Sequence, residues 1–215
     1  MKLLIFDCDG VLVDTEIIAA EVMVELLKSY GFNTDIEYYI SNFTGKTFTG
    51  ILDDLGIKFD QDLEELSIQT EKKIYARLRA IDGMAEIVKS QALPTAIVSN
   101  SATWQVEKAI KFLDLGDTIK RNYFSSQMVE RPKPFPDIYL RAASDNKVSP
   151  IDCLVVEDSL SGAKAALEAG MNVIGFAGAS HIRAGHDQKL LNLGVKAVAK
   201  EPAELSRIID TTISI

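Results

Sequence analysis

The stretch that decides the fold is IFDCDGVLVDTE, Ile5 to Glu16, near the start of the 215-residue chain. The apolar run LLIF predicts a buried strand, which ends where Gly10 lets the chain turn. Side chains alternate in direction along a strand, so Asp7 and Asp9 point the same way at its carboxyl end. Two such carboxylates repel unless a cation or a shared proton offsets their charge, and Mg²⁺ prefers oxygen ligands of this kind. Taken alone, DxDG is equally typical of a polar turn.

Composition indicates an ordinary globular protein, with 47% hydrophobic and 25% charged residues. The length favours one main domain with an insertion. A net charge of −8 argues against nucleic acid or an anionic membrane surface as partner. No apolar run is long enough to span a bilayer and no signal sequence is recognisable, so we expect a cytoplasmic protein. An anionic substrate would need local cations to attract it.

The sequence after Glu16 has helical periodicity, and no strand is predicted before residue 81. An amphipathic helix runs to Gly31, which is well placed to end it. Further helices are predicted around Thr47 to Leu55 and from Asp60, as the capping residue, to Leu78, with Leu63, Leu66, Ile74 and Leu78 facing inward. A wholly helical stretch after the first strand predicts an inserted helical cap domain over residues 15–80.

Residues 81–215 alternate between apolar strands and helices, and together with residues 1–14 they are expected to form the core domain. Strands that are apolar on both faces favour a parallel sheet with helices covering both sides. We therefore predict an α/β, Rossmann-like fold with the helical cap inserted. The predicted strands are 3–6, 95–99, 123–129, 153–156, 172–176 and 197–199, and the predicted helices are 82–91, 103–113, 136–146, 159–169, 187–193 and 202–209.

Three of these strands end in polar residues. In a parallel sheet, ligands bind beyond the carboxyl ends of the strands, so these polar groups are expected to share one edge. The loop RPKPFPDIY carries Lys133, which could reach over the same edge. The three polar strand ends are Asp7 with Asp9, Ser99 with Asn100, and Glu157 with Asp158.

This set of groups suits phosphoryl transfer. One carboxylate can attack phosphorus, and a second carboxyl group can protonate the leaving oxygen and later activate water. A cation and a lysine can hold the negative phosphoryl oxygens. Singly, each motif has a plainer explanation: Ser99 and Asn100 favour turns, Glu157 and Asp158 favour helix starts, and Lys133 could be a solvated charge. Their joint occurrence at strand ends favours a catalytic site.

With these residues in view, the chain resembles the haloacid dehalogenase superfamily. The likeness is to its phosphatase branch with a helical cap after the first strand, close to the β-phosphoglucomutase and sugar-phosphate phosphatase group. DCDGVLVDTE is similar to the first motif of the family, VSNS to the second, RPKP to the third and VVEDS to the fourth. The four motifs occur in the order of the family, and the resemblance covers essentially the whole chain.

The resemblance implies roles for individual residues. Asp7 would be the nucleophile that forms an aspartyl-phosphate. Asp9 would be the general acid and base, and its backbone carbonyl would also bind Mg²⁺. Ser99 would hydrogen-bond the transferring phosphoryl group, helped by the Asn100 backbone. Lys133 would pair with both the phosphate and the nucleophile.

The resemblance also implies a magnesium site and a substrate-contacting residue. Asp158, with Glu157 directly or through water, would complete the Mg²⁺ ligands begun by Asp7 and the Asp9 carbonyl. Gly10 is expected beside the bound phosphate, and closure of the cap would exclude water. Lys46 lies in the segment TGKTF, where relatives place a specificity loop, and is either a ligand for a distal anionic group or an exposed lysine.

These features predict a Mg²⁺-dependent phosphatase of a small phosphate ester. The expected substrate is a sugar or sugar-acid phosphate such as 6-phosphogluconate, and the protein is expected to be a monomer or weak homodimer. His181 and His186, in AGASHIRAGH, are predicted to lie in a loop near the site without binding metal.

Three other functions fit the sequence less well. A sugar-phosphate mutase of the β-phosphoglucomutase type would carry a histidine in the cap where this chain has Ala19. A dehalogenase of the superfamily needs no second aspartate, and Asp9 is present. A phosphoacceptor signalling domain combines similar acidic, hydroxyl and lysine residues, but it lacks a helical cap.

Overall fold

The structure is a computed structural model that describes residues 1–43, 46–57 and 62–213. It divides the chain into two compact units. The larger unit joins Met1–Asp14 to Ala80–Ile215, and the smaller unit is Thr15–Arg79. Among the described residues, none of the helices has the length and apolar character needed to cross a membrane.

The described part of the larger unit contains one six-stranded parallel sheet. Its strands are β1 (Leu3–Asp7), β2 (Thr95–Ser99), β3 (Tyr123–Ser125), β4 (Cys153–Glu157), β5 (Asn172–Phe176) and β6 (Ala197–Ala199). Their order across the sheet is β3-β2-β1-β4-β5-β6. Every residue of β1, β2, β4 and β5 is buried, as expected for a sheet covered on both faces. The predicted α/β fold class is confirmed.

The described helices of the smaller unit are α1 (Thr15–Ser29), α2 (Ile36–Phe43), α3 (Phe48–Asp54) and α4 (Leu63–Ala76). In the larger unit they are α5 (Met84–Ser90), α6 (Thr103–Phe112), α7 (Gly116–Ile119), α8 (Asp137–Asp145), α9 (Leu160–Glu168), α10 (His186–Leu193) and α11 (Pro202–Ile213). Two helices, α2 and α7, had no counterpart in the sequence prediction. Helix α11 continues four residues beyond the predicted end at Ile209.

The smaller unit has its own apolar core, built from α1, α2 and α3. Its buried members include Met23, Leu27, Ile40, Phe43 and Ile51. At the surface of the unit, Arg77 binds Glu25 through two hydrogen bonds of 2.8 and 2.9 Å, and Arg79 binds Glu21 in the same way.

Helix α4 starts later than predicted. The side chain of Asp62 caps it by accepting a hydrogen bond from the Glu64 backbone N–H at 2.9 Å, and the predicted cap, Asp60, lies outside the described residues. Leu63, predicted to face inward, is exposed because it occupies the first turn of this helix. The buried residues of the helix are Leu66, as predicted, together with Thr70 and Tyr75. Ile74 and Leu78 are only partly buried, and Leu78 lies beyond the helix end at Ala76.

The edge strand β3 is also shorter than predicted. It ends at Ser125, and a single 3₁₀ turn (Ser126–Met128) follows where the strand was expected to continue to Val129. An edge strand has a partner on one side only, so little holds the backbone extended once pairing with Ser99 ends.

The register of the sheet brings its polar strand ends together. Asp7 is paired with Val98, so Ser99 follows one position beyond it on β2. Phe6 is paired with Val156, which places Glu157 level with Asp7 on β4. Strand β1 lies between β2 and β4, where the strand order reverses, and such switch points are the usual ligand sites of parallel α/β sheets.

Candidate active site

Lys133 is the centre of the polar cluster at this sheet edge. Its side chain is only 4% exposed, and its ammonium lies 2.5 Å from Asp7 Oδ1 and 2.6 Å from Glu157 Oε1. It also donates to the backbone oxygen of Val98 at 3.2 Å. The lysine therefore links the ends of β1, β2 and β4 within one buried network.

The cluster contains more negative charge than Lys133 can neutralise. Burial alone would lower the pKa of Lys133, but Asp7 and Glu157 raise it well above its ordinary value, so the side chain stays an ammonium. Burial also raises the pKa of Asp7 well above its usual range; Lys133 opposes this shift, while Glu157, Asp158 and Asp9 add to it. A further cation bound nearby would therefore favour the ionised form of Asp7.

A divalent cation would provide that charge, and the residues present fit one. One carboxylate oxygen each from Asp7, Glu157 and Asp158 lie within 4.8 Å of one another, and all three residues are buried. Three carboxylates facing one ammonium leave a formal excess of two negative charges. Hard oxygen donors of this kind suit Mg²⁺. The group could therefore hold a divalent metal ion.

Asp9 is held by two hydroxyl groups. Ser99 Oγ donates to Asp9 Oδ2 at 2.8 Å, and Ser101 Oγ donates to the same oxygen at 2.7 Å. Ser101 was missed in the sequence analysis. Its position two residues after Ser99 is the signal that could have identified it, because residues two apart in an extended segment face the same side.

Asn100 positions the loop that carries Lys133. Its side-chain amide donates to the Lys133 backbone oxygen at 3.0 Å, and its Oδ1 accepts from the Lys133 backbone N–H at 3.0 Å. From the sequence, only the Asn100 backbone was expected to contribute, as a hydrogen-bond donor to phosphate. The structure adds a role for its side chain in fixing the start of the lysine loop.

Glu157 is fully enclosed and uses both carboxylate oxygens. Oε1 accepts from Tyr139 Oη at 2.9 Å as well as from Lys133, and Oε2 accepts from the backbone N–H and the hydroxyl of Ser159, both at 3.0 Å. A Cβ at Gly162 would lie 1.7 Å from Oε1, so only glycine fits there. Tyr139 and Gly162 were missed, because each lies within a helix, α8 or α9, and its contact with Glu157 depends on how that helix packs.

Replacing Tyr139 by phenylalanine is expected to destabilise the protein by about 1–3 kcal/mol, since Glu157 would lose a buried hydrogen-bond donor. Urea unfolding with Tyr123→Phe as control measures this, because the Tyr123 hydroxyl bonds Glu107 at the surface. Equal midpoints for the two variants would show that the buried hydroxyl contributes nothing to stability.

Asp158 is enclosed by backbone and by two histidines. Gly10 has a φ of +79°, and a Cβ there would lie 2.0 Å from Asp158 Oδ2, so glycine is required on both counts. His181 Nε2 lies 3.3 Å from the same oxygen, and His186 Nε2 lies 2.5 Å from the Asp158 backbone oxygen. Both histidines contact a candidate metal-binding residue, although neither was predicted to contribute to the site.

Lys46 belongs to the smaller unit and is exposed. Its ammonium pairs with Asp54 Oδ2 at 2.5 Å and lies 5.4 Å from the centre of the Phe43 ring. Thr44 and Gly45, which belong to the same predicted specificity loop, lie outside the described residues. The proposed contact between Lys46 and substrate remains a prediction.

Comparison with known proteins agrees with this geometry. A family model described as haloacid dehalogenase-like hydrolase matches residues 4–176. The chain is 27% identical to the 6-phosphogluconate phosphatase of Escherichia coli (strain K12), over 82% of each protein. It is 30% identical to the phosphorylated carbohydrates phosphatase of Thermotoga maritima, over 97% of this chain and 98% of that protein.

A solved structure gives a similar result. The haloacid dehalogenase family hydrolase from Deinococcus radiodurans R1, crystallised with bound phosphate and sodium, is 29% identical to this chain. The two structures superpose with a TM-score of 0.86, covering 99% of this chain and 97% of that one. The similarity therefore includes both the sheet and the segment inserted after its first strand.

Proposed function

The chain belongs to the haloacid dehalogenase-like hydrolases, and on that premise we propose that it is a Mg²⁺-dependent phosphatase acting on a small sugar or sugar-acid phosphate. Similar proteins are named as phosphatases, so the chain is a phosphoric monoester hydrolase. The observation that carries the proposal is the Lys133 ammonium, 2.5 Å from Asp7 and 2.6 Å from Glu157 at the sheet edge. This arrangement pairs a carboxylate nucleophile with a fixed cation for phosphoryl oxygens.

In the first step, an Asp7 carboxylate oxygen attacks phosphorus and the bond from phosphorus to the ester oxygen breaks. Asp9, in its protonated form, gives its proton to the departing alkoxide. Ser99 and Lys133 hold the negative oxygens of the phosphoryl group during transfer. The products of this step are the free alcohol and an aspartyl-phosphate at Asp7.

In the second step, Asp9, now a carboxylate, takes a proton from water, and the water oxygen attacks phosphorus. The bond between phosphorus and the Asp7 oxygen breaks, which releases inorganic phosphate and regenerates both carboxyl groups. The Ser101 hydroxyl, 2.7 Å from Asp9 Oδ2, keeps Asp9 directed toward the reacting oxygen in both steps. Ser99, which donates to the same oxygen at 2.8 Å in the free enzyme, has one hydroxyl proton and turns it to the phosphoryl group when substrate binds.

Mg²⁺ would be held by Asp7, Asp158 and the Asp9 backbone carbonyl, with Glu157 directly or through water, and when bound it would neutralise charge on the phosphoryl oxygens. We propose 6-phosphogluconate as the specific substrate, because one relative carries that name. The broader class, sugar phosphates, is supported by the relative named for phosphorylated carbohydrates.

Removing divalent metal is expected to lower phosphate release by at least about 10²-fold, since a Lewis acid contributes several kcal/mol to such reactions. The purified protein is treated with a chelator, dialysed, and assayed on a panel of phosphorylated metabolites with and without added Mg²⁺. Recovery of the rate with Mg²⁺, and fastest turnover of 6-phosphogluconate, are the expected results. Full activity in the metal-free sample would contradict the metal requirement.

A second assay distinguishes phosphatase activity from mutase activity. β-Glucose 1-phosphate is supplied with a trace of the corresponding bisphosphate, and both phosphate and isomerised sugar phosphate are measured. We expect phosphate release to exceed isomerisation, because Ala19 stands where the mutases carry a histidine. Faster isomerisation would reverse the assignment.

A further inference from the structure

The segment after β5, residues 177–186, contacts Asp158 at two points. We refer to this segment, AGASHIRAGH, as the histidine loop. His186 Nε2 lies 2.5 Å from the Asp158 backbone oxygen, and since a carbonyl only accepts, the ring nitrogen donates. His181 Nε2 lies 3.3 Å from Asp158 Oδ2. One loop therefore contacts both the backbone and the carboxylate of a proposed metal-binding residue.

Two backbone N–H groups of the histidine loop donate hydrogen bonds to other parts of the larger unit and hold the loop in place. At its start, the Ala177 backbone N–H donates to the Ala199 oxygen at 2.7 Å, which ties the loop to the end of β6. In its middle, the Ser180 backbone N–H donates to Asp14 Oδ2 at 3.3 Å, and Asp14 is only 8% exposed. The residue adjacent to His181 is thus fixed by a buried carboxylate, which limits how far the imidazole can move.

The Asp158 carboxylate is close to both His181 and the Gly10 backbone. The Asp158 and His181 side chains are only 5% and 10% exposed. A Cβ on Gly10 would come within 2.0 Å of Oδ2, the same oxygen that faces His181. Because the Gly10 backbone and an imidazole are both close to this one oxygen, the carboxylate has little freedom to rotate. A carboxylate fixed in this way is pre-oriented for a cation.

We propose that His181 is a positioning residue that orients the Asp158 carboxylate for the divalent cation, while His186 fixes the Asp158 backbone. The inference rests on the proposed function, because it assumes that Asp158 binds the metal. Groups that contact metal ligands typically change metal affinity by about 10–100-fold when removed. The N–H at Nε2 of His181, rather than its ring volume, carries this effect.

Mn²⁺ binding to the full-length protein tests the proposal without measuring activity. Free Mn²⁺ is followed by electron paramagnetic resonance during titration of wild type, His181→Phe, His181→Gln and the control Gln188→Ala. Gln188 is exposed on α10, and its side chain bonds Asn192. Phenylalanine keeps a ring but lacks the donor, whereas glutamine places an N–H near the position of Nε2.

We expect His181→Phe to weaken Mn²⁺ binding by about 10-fold or more, and His181→Gln and Gln188→Ala to remain within about threefold of wild type. Circular dichroism of the metal-free proteins checks folding, and His181→Ala replaces the phenylalanine variant if that variant does not fold. Wild-type affinity in the phenylalanine or alanine variant, or an equal loss in the glutamine variant, would overturn the proposal. If wild type itself binds no Mn²⁺, both the positioning role of His181 and the metal requirement of the proposed function are wrong. If wild type binds Mn²⁺ and His181→Phe binds it equally well, only the positioning role is wrong.

Discussion

The Asp7→Asn variant is expected to release phosphate at least about 10³ times more slowly than the wild-type enzyme. An amide is a far poorer nucleophile than a carboxylate, and no other residue of the proposed mechanism replaces Asp7 at phosphorus. Asparagine has nearly the same shape and keeps an oxygen that can accept from Lys133, so the fold should be retained. Initial rates on a generic phosphate ester with saturating Mg²⁺ measure the loss.

The matched control for this variant is Asp145→Asn. Asp145 lies on α8, is 52% exposed and pairs with Arg141 at 3.5 Å, so its replacement should leave the rate unchanged. Circular dichroism of both variants shows whether the fold is intact. An Asp7→Asn enzyme that retains a tenth or more of wild-type activity would mean that another group attacks phosphorus.

Replacing Lys133 by methionine is expected to lower both stability and activity. The loss leaves Asp7, Glu157 and Asp158 as buried carboxylates without a compensating cation, which should cost about 3–5 kcal/mol in the metal-free protein. The rate should fall about 10²–10³-fold, because a fixed positive charge facing the phosphoryl oxygens is removed. Urea unfolding in the presence of a chelator and steady-state rates with Mg²⁺ give the two quantities.

Lys164→Met is the control for the lysine variant. Lys164 lies on α9, is 53% exposed and pairs with Glu168 at 3.7 Å, so its loss should cost no more than about 0.5 kcal/mol. Added Mg²⁺ should restore part of the stability of Lys133→Met, since the metal can balance the same carboxylates. Equal stabilities for the two lysine variants would contradict the electrostatic role assigned to Lys133.

The strands at the centre of the sheet were predictable because their residues are apolar on both faces. β2 and β5 have the predicted bounds, and β1 and β4 extend by one residue, Asp7 and Glu157, at their carboxyl ends. Those two residues are charged, and apolar periodicity stops before them. They remain in the strands because their backbones still pair with the neighbouring strands, Asp7 with Val98 and Glu157 with Gly175.

The short elements were harder to predict. Helix α2 is eight residues long, and its packing depends on Ile40 and Phe43 meeting α1, which the local sequence does not specify. Helix α7 has four residues, too few for a periodic pattern. The end of β3 depends on where pairing with β2 stops, which is a property of the sheet and not of the segment.

The candidate site also contains residues that the sequence could predict and residues that it could not. The motif residues could be brought together from sequence because parallel strands share one edge, and the structure places Asp7, Lys133 and Asp158 around one buried cluster. Tyr139 could not be found, because its contact with Glu157 depends on how helix α8 packs. His181 was predicted to lie in a loop near the site, but its contact with Asp158 depends on how the histidine loop packs in three dimensions. Neither residue lies at a strand end.

Attack of the Asp7 carboxylate on phosphorus can be observed by trapping the acyl phosphate. The enzyme is mixed with substrate and Mg²⁺, quenched in the steady state and reduced with borohydride, which converts an aspartyl-phosphate to homoserine. Peptide mass spectrometry should then find homoserine at position 7 in the sample with substrate and aspartate in the sample without it. Phosphate release with aspartate unchanged at position 7, or with homoserine at another position, would contradict the mechanism.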